Sequence, residues 1–288
     1  MIVRLVDGTY ELYRQFFGAR STHINAASIG VVRSTLDLLD EDCQHVGVAT
    51  DHVIESFRNA IYPGYKTGDG MEPEILRQIE VIEFALDALG VCVWPSIELE
   101  ADDALASAAV SAESDPGVKC VEIYSPDKDL AAMVRSPRVV QIDRRNNLRI
   151  GDDEVRAKFG VDPASIPDWL AMVGDTADGF PGIPGWGAKS AAVVLAEYKH
   201  VENIPRDSAE WTIKVRGAER LAQSLRDNQE LLDVCKLLAT LRIDPTVCPS
   251  TKTLLWRGPN ADFADWCRQN DVPTLAERAD KLYSMVSL

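Results

Sequence analysis

Hydrophobic residues along this chain fall into two alternating patterns. Short apolar runs occur at Ile2–Val6, Val46–Thr50, Val91–Trp94, Val118–Tyr124 and Val139–Ile142. Runs of this length without alternation predict strands buried on both faces. Between them, apolar residues recur at helical spacing over Thr9–Ala19 (Leu12, Tyr13, Phe16, Phe17), Ala26–Leu39, Glu74–Leu89 before the stop at Gly90, Ala104–Val110 and, more briefly, Leu130–Val134. Strands alternating with helices predict an α/β fold with a mostly parallel central sheet flanked by helices. From about Glu154 the pattern becomes all-helical, with Ile166–Val173, Ala188–Tyr198, a long helix Leu221–Thr240, and Phe263–Gln269 and Thr274–Tyr283 in a tail without a chemical signature. The predicted domains are an α/β core over 1–153, including a segment without clear period at 55–75, and a helical region over 154–288.

The strand runs end in a common way. Asp7, Asp51, the cluster Glu98-Leu99-Glu100-Ala101-Asp102-Asp103, and Asp127/Asp129 each follow the carboxyl end of a strand. In an open parallel sheet those ends share one edge, where such folds place their sites. Gathered carboxylates raise one another's pKa unless cations balance them. Mg²⁺ typically takes a few carboxylates plus waters, and two such ions about 3.5–4 Å apart suit in-line displacement at a phosphodiester. The candidate ligands are Asp7, Asp51, Glu100, Asp102, Asp103, Asp127, Asp129, Asp175 and Asp178. Asp127 and Asp129 point the same way if extended; Asp175 and Asp178 share a face if helical. Within the cluster, an extended backbone would aim Glu100 and Asp102 together, with Asp103 opening the helix and Glu98 a bystander. The plainer reading, helix caps and solvated loop acids, fits any one of these residues better than it fits the set.

Two other stretches carry chemistry. Gly174–Lys189 contains five glycines and two prolines, which excludes a continuous helix. Its Gly182-Ile183-Pro184-Gly185-Trp186-Gly187 run lets backbone N–H groups approach a phosphate, with Lys189 in the first turn of the next helix; alone, it reads equally as a tight turn. Phe57–Lys66 interleaves Arg58 and Lys66 with Tyr62 and Tyr65, a combination suited to phosphate contact and base stacking on a single strand or to a surface loop with half-buried rings. Arg144, Arg145, Arg149, Lys214, Arg216 and Arg220 read as a solvated face or a further duplex-facing patch.

Composition narrows the classes. The 288 residues are 46% hydrophobic and 26% charged, enough for a substantial core. No apolar run approaches the length of a membrane span, and the N-terminus lacks a signal-peptide pattern. Six scattered cysteines without a C-x-x-C pair indicate reduced thiols in a cytoplasmic protein and argue against zinc. A net charge of −15 argues against a nucleic-acid binder, but carboxylates that surround divalent cations contribute far less negative field than the count implies.

With these residues in hand, the sequence resembles the 5′ nuclease family: flap endonucleases, phage 5′→3′ exonucleases and the 5′-nuclease domain of bacterial DNA polymerase I. The likeness runs from Leu5 to about Pro245. It rests on Val6-Asp7-Gly8, Phe57-Arg58 with Tyr65-Lys66, Glu100-Ala101-Asp102-Asp103, Asp127-Lys128-Asp129-Leu130, Gly174-Asp175 to Asp178, Pro181-Gly182, and Gly185-x-Gly187-x-Lys189. Each motif is short; their order and spacing together are specific. The resemblance implies a stand-alone, structure-selective nuclease acting on DNA with 5′ flaps or 5′ ends, duplex and single-stranded, with Mg²⁺ or Mn²⁺ in two or more sites. It implies that Asp7, Asp51, Glu100 and Asp102 hold one ion with Asp103 nearby. Asp127, Asp129 and Asp178 hold the second, with Asp175 direct or through water. Arg58 and Lys66, where the family's helical arch begins, grip the scissile phosphate, and Tyr65 accompanies them. Residues 166–198, with Gly182, Gly185, Gly187 and Lys189, match the family's helix-hairpin-helix-like element, which holds duplex DNA and often a monovalent cation such as K⁺. Two positions depart from the family pattern: Asp69 stands where many members carry a base, and Gly179-Phe180 where Asn and an aliphatic are common. A monomer is the default expectation. The rival readings are a ribonuclease with the same acidic site, a non-catalytic binder of branched DNA, and an acidic cation-binding α/β protein.

Overall fold

The computed structural model describes residues 1–18, 23–39 and 43–286; Ala19, the expected end of the first helix, lies outside the described residues. In chain order the elements are β1 (Ile2–Asp7), α1 (Gly8–Gly18), α2 (Ala26–Leu39), β2 (Val46–Asp51), α3 (Phe57–Ile61), α4 (Pro73–Leu89), β3 (Cys92–Ser96), α5 (Ala101–Ser114) and β4 (Cys120–Tyr124). There follow β5 (Val139–Asp143), β6 (Leu148–Ile150), α6 (Asp152–Phe159), α7 (Ile166–Val173), β7 (Gly174–Asp175), β8 (Phe180–Pro181) and α8 (Ala188–Tyr198). The last are α9 (Ala218–Asp227), α10 (Gln229–Ala239), α11 (Ala261–Gln269) and α12 (Pro273–Val286). They form two compact units that are discontinuous in sequence: residues 1–54, 68–125 and 243–288, and residues 55–67 with 126–242.

In the first unit β3, β2, β1 and β4 lie side by side, all parallel. Val3–Asp7 and Val46–Thr50 are buried without alternation, so both sheet faces are covered. α5 packs against all four strands. Its buried residues include Ala101, Ala104, Ala106, Ala108, Ala109 and Ala112, whose small side chains let the helix approach the sheet closely. α4 buries Ile75, Ile79, Ile82, Leu86 and Leu89, one stripe at helical spacing, and ends at left-handed Gly90. The tail, chemically silent in sequence, completes this unit: α11 packs on α4 and α12 on α2.

The second unit is built on α7, which packs against α8 and α10. Its core includes Ile166, Leu170, Val194, Leu195, Trp186, Leu221 and Leu238. Three local expectations change here. The single long helix is two, because Asn228 adopts φ −121° and ψ 31° between α9 and α10 and its side-chain amide bonds back to the Ser224 carbonyl at 2.8 Å; asparagine competes for backbone groups in this way. The Leu130 helix is a 3-10 turn over Asp129–Met133. Asp175 and Asp178 do not share a helical face; Asp175 ends β7 and Asp178 lies in the turn of the short β7–β8 hairpin.

Candidate active site

In the first unit the strand register aligns Val6 with Val48 and Tyr124, and Asp51 with Ser96, so the carboxyl ends of the strands lie side by side. Each acid there meets the amino end of a helix. Asp7 Oδ1 accepts the Tyr10 N–H in the first turn of α1 at 2.8 Å, and Oδ2 accepts the Ser125 hydroxyl at 2.9 Å. Asp51 Oδ1 accepts the Ala101 N–H, the first of α5, at 2.8 Å. The first amides of a helix have no intrahelical partner and carry partial positive charge, so they donate to a carboxylate oxygen and fix its position. Asp7-Gly8 is fixed sterically as well: a Cβ at Gly8 would stand 2.8 Å from side-chain atoms of Val48 and Thr50.

The acidic cluster is sharper than its sequence implies. α5 begins at Ala101, so Asp102 sits inside the first helical turn and not on an extended strand with Glu100. Glu100 is the N-cap residue, 5% exposed, and Asp103 is fully buried and accepts the Glu100 N–H at 3.0 Å. Asp103 therefore fixes the start of the helix that presents Glu100 and Asp102. Near Asp51, burial and the negative charge of that carboxylate push the Tyr13 phenol up. Tyr13 stacks with Phe17, which is 71% exposed.

In the second unit the acids face one another. Oxygens of Asp129, Asp175 and Asp178 lie within 4.8 Å of one another. Asp127 Oδ1 accepts the Asp129 N–H at 2.9 Å, which orients the Asp127-Lys128-Asp129 turn. Asp175 is buried, and its Oδ1 accepts the Ala177 N–H at 2.9 Å. Asp129 is 8% exposed, and its Oδ1 is buried without a hydrogen-bond partner. Burial, then the charges of Asp127 and Asp178, push its carboxyl well above the ordinary range. Two ammonium groups sit in this cluster. Lys66 Nζ lies 3.0 Å from Asp178 Oδ1, and Lys128 Nζ contacts Asp175 Oδ2. Burial opposes the Lys128 charge, but the bond to Asp175 and the fields of Asp129 and Asp127 outweigh it and raise its pKa. The donors are all hard oxygens, one is buried and orphaned, and cations already gather on the others, which is the chemistry a divalent ion such as Mg²⁺ or Mn²⁺ fits. Lys128 was legible only as the middle of an acidic triplet.

The 55–67 segment is less exposed than its composition implies. Tyr65 is 3% exposed and stacks on Phe180 at 6.5 Å, so the ring expected at DNA lies in the core and offers no face to a base. Arg58, expected at the scissile phosphate, is 2% exposed and donates to the carbonyls of Leu238 at 2.8 Å and Thr240 at 3.2 Å. Lys66 stands among the acids.

The glycine run divides by role. Gly174 has φ +85°, and a Cβ there would lie 2.3 Å from the Gly182 nitrogen. Gly182 therefore serves a close backbone crossing. Ile183 and Trp186 are buried anchors, the Trp186 indole donating to the Leu221 carbonyl at 3.2 Å. Gly185, Gly187 and Lys189 are exposed at the amino end of α8, and no atom lies within 4 Å of a Cβ at Gly185 or Gly187. A 640 Å³ cavity beside the hairpin is lined by Pro184, Gly185, Arg220 and Ser224 among others.

Comparison with known proteins agrees with this chemistry. Residues 2–160 match the profile of the 5′-3′ exonuclease N-terminal resolvase-like domain, and residues 161–262 that of the 5′-3′ exonuclease C-terminal SAM fold. A 5′-3′ exonuclease of Aquifex aeolicus is 32% identical across 98% of this chain and 96% of its own length. DNA polymerase I of Bacillus subtilis is 31% identical across 90% of this chain, which spans 30% of that polymerase. Among solved structures, the bacteriophage T5 D15 flap endonuclease in complex with DNA and metal ions has TM-score 0.68 at 20% identity, each chain covering 100% of the other. The catalytic core of Rad2 with DNA substrate has TM-score 0.59 at 14% identity, covering 97% of this chain and 91% of its own. These two establish the fold; the profiles and the Aquifex aeolicus relative establish more, and the chain belongs to the 5′-3′ exonuclease family.

Proposed function

We propose that this chain is a metal-dependent 5′ nuclease that hydrolyses DNA at 5′ ends and 5′ flaps, leaving a 5′-phosphate and a 3′-hydroxyl. The observation that carries the reading is the Asp129, Asp175 and Asp178 oxygens within 4.8 Å of one another, with one buried oxygen left unpartnered. Asp7, Asp51, Glu100 and Asp102 are assigned to one Mg²⁺ or Mn²⁺ ion, and Asp127, Asp129, Asp178 and Asp175 to another. When bound, such ions supply an activated water and stabilise charge on phosphoryl oxygens. The chain's own groups do the rest. Helix-end amides hold Asp7 and Asp51 in place. Lys66, 34% exposed at its side chain, can turn from Asp178 to a phosphate oxygen. Gly185, Gly187 and Lys189 offer the duplex backbone amides and one positive charge, contacts that carry no base preference. The hairpin is also assigned the monovalent cation of the family. No described helix is long and apolar enough to cross a membrane.

The test is incubation of 5′-labelled flap, nicked and single-stranded DNA with the protein in Mn²⁺, Mg²⁺ or a chelator. Metal-dependent release of flap products ending in 3′-hydroxyl is expected. Retention of the flap in a gel without products would instead make the protein a binder, and preferential cleavage of the matching RNA would make it a ribonuclease.

A further inference from the structure

We infer that Arg58 is a positioning residue that anchors the start of the arch segment, and that it makes no contact with the DNA phosphate. The last carbonyls of a helix have no intrahelical donor and carry partial negative charge. At the end of α10, Arg58 supplies donors to two of them, Nε to Leu238 and Nη2 to Thr240. A lysine ammonium lacks the planar fork that bonds both at once. The guanidinium also lies over the Phe57 ring, 4.6 Å from its centroid, and Arg242 approaches the same ring at 5.3 Å.

What Arg58 anchors matters for the site. α3 opens at Ser56, whose hydroxyl accepts the Arg58 N–H, and Asn59 Nδ2 donates to the Lys66 carbonyl at 2.9 Å. The Lys66 N–H in turn donates to the Asp178 carbonyl at 2.9 Å, and the Lys66 ammonium reaches the Asp178 carboxylate. A continuous set of bonds thus runs from the α10 carbonyls through Arg58, α3 and Asn59 to Lys66. At 2% exposure Arg58 has no open face for a phosphate, whereas Lys66 has.

The inference rests on the nuclease reading, and its test separates the two. Arg58→Gln and Arg58→Lys are made in the full chain, alone and in an Asp129→Asn background for binding. Positioning predicts that both variants lose about 2–6 °C in melting temperature without DNA, that both cleave flap DNA about tenfold more slowly, and that binding keeps its dependence on salt. A phosphate contact predicts a salt slope smaller by about 0.9 for Arg58→Gln, with Arg58→Lys near wild type. A reduced slope overturns the inference whatever the melting result, and so does an unchanged melting temperature. If Arg58→Gln does not fold, Arg58→Lys decides by the same two measurements. If the parent chain neither binds nor cleaves DNA, the nuclease reading fails and the melting of Arg58→Lys decides the anchoring role on its own.

Discussion

The two acidic groups of this molecule differ in what their carboxylates face. In the first unit Asp7 and Asp51 each have an oxygen on a helix-end amide, and Asp103 caps the helix that carries Glu100 and Asp102. In the second, carboxylates face carboxylates, lysines stand among them, and Asp129 keeps an orphaned oxygen. The first arrangement is set by backbone amides at two helix ends. The second draws ammonium groups onto its carboxylates. The difference predicts that the first group governs geometry and local stability while the second governs the response to metal and pH.

The sharpest break is Asp129→Asn. Flap cleavage should fall about a thousandfold, as for loss of a directly acting electrostatic group, while the chelator-treated protein becomes no less stable. Asp129 also gives the comparison a pH signature. Burial and its acidic neighbours hold its folded pKa well above the ordinary aspartate range, so the folded state holds this proton more tightly than the unfolded chain. Its stabilising contribution is complete below the unfolded pKa and disappears as pH rises through the folded pKa. In chelator, melting temperature should therefore decline across that interval more steeply in wild type than in Asp129→Asn; equal profiles would remove the contrast between the two groups.

Asp51 separates chemistry from scaffold. Asp51→Ala removes the acceptor for the Ala101 amide and should lower unfolding free energy by about 1 kcal/mol in urea titration, together with a cleavage loss of about a hundredfold. Asp51→Asn keeps an acceptor and should lose only the cleavage. The smallest effect belongs to Lys128. Lys128→Met removes a cation that competes at Asp175 and should tighten Mn²⁺ binding about fivefold by calorimetry, in keeping with a partly screened ion pair. Unchanged affinity would mean that Lys128 does not occupy the ion's place.

The sequence made the first acidic group far more legible than the second. Asp7 and Asp51 end runs such as Leu5-Val6 and Val48-Ala49, and burial on both faces writes itself into continuous apolar composition. Asp175 and Asp178 lie around a hairpin of two-residue strands, too short for any period to show. Lys128 carries no signal of its own in the sequence because its partner Asp175 is brought to it only by tertiary structure. The burial of Arg58 and Tyr65 was hidden for a related reason: bases interleaved with aromatics look the same whether they face a nucleic acid or pin a loop, and a segment without period does not reveal which side is buried. The break at Asn228 needed neither Gly nor Pro, so nothing in the apolar stripe marked it.

The tail that carried no chemistry has a consequence for how the chain matures. The Trp256 N–H donates to the Gln44 carbonyl at 2.7 Å and its indole to the Leu89 carbonyl at 2.8 Å, while the Asn260 N–H reaches the Ala88 carbonyl at 2.9 Å. Fully buried Phe263 belongs to the same unit as β1. During vectorial synthesis on the ribosome, residues 55–67 and 126–242 emerge complete before residues 243–286 exist. The unit that begins first therefore closes last, and until it closes the apolar faces that the tail covers stay exposed.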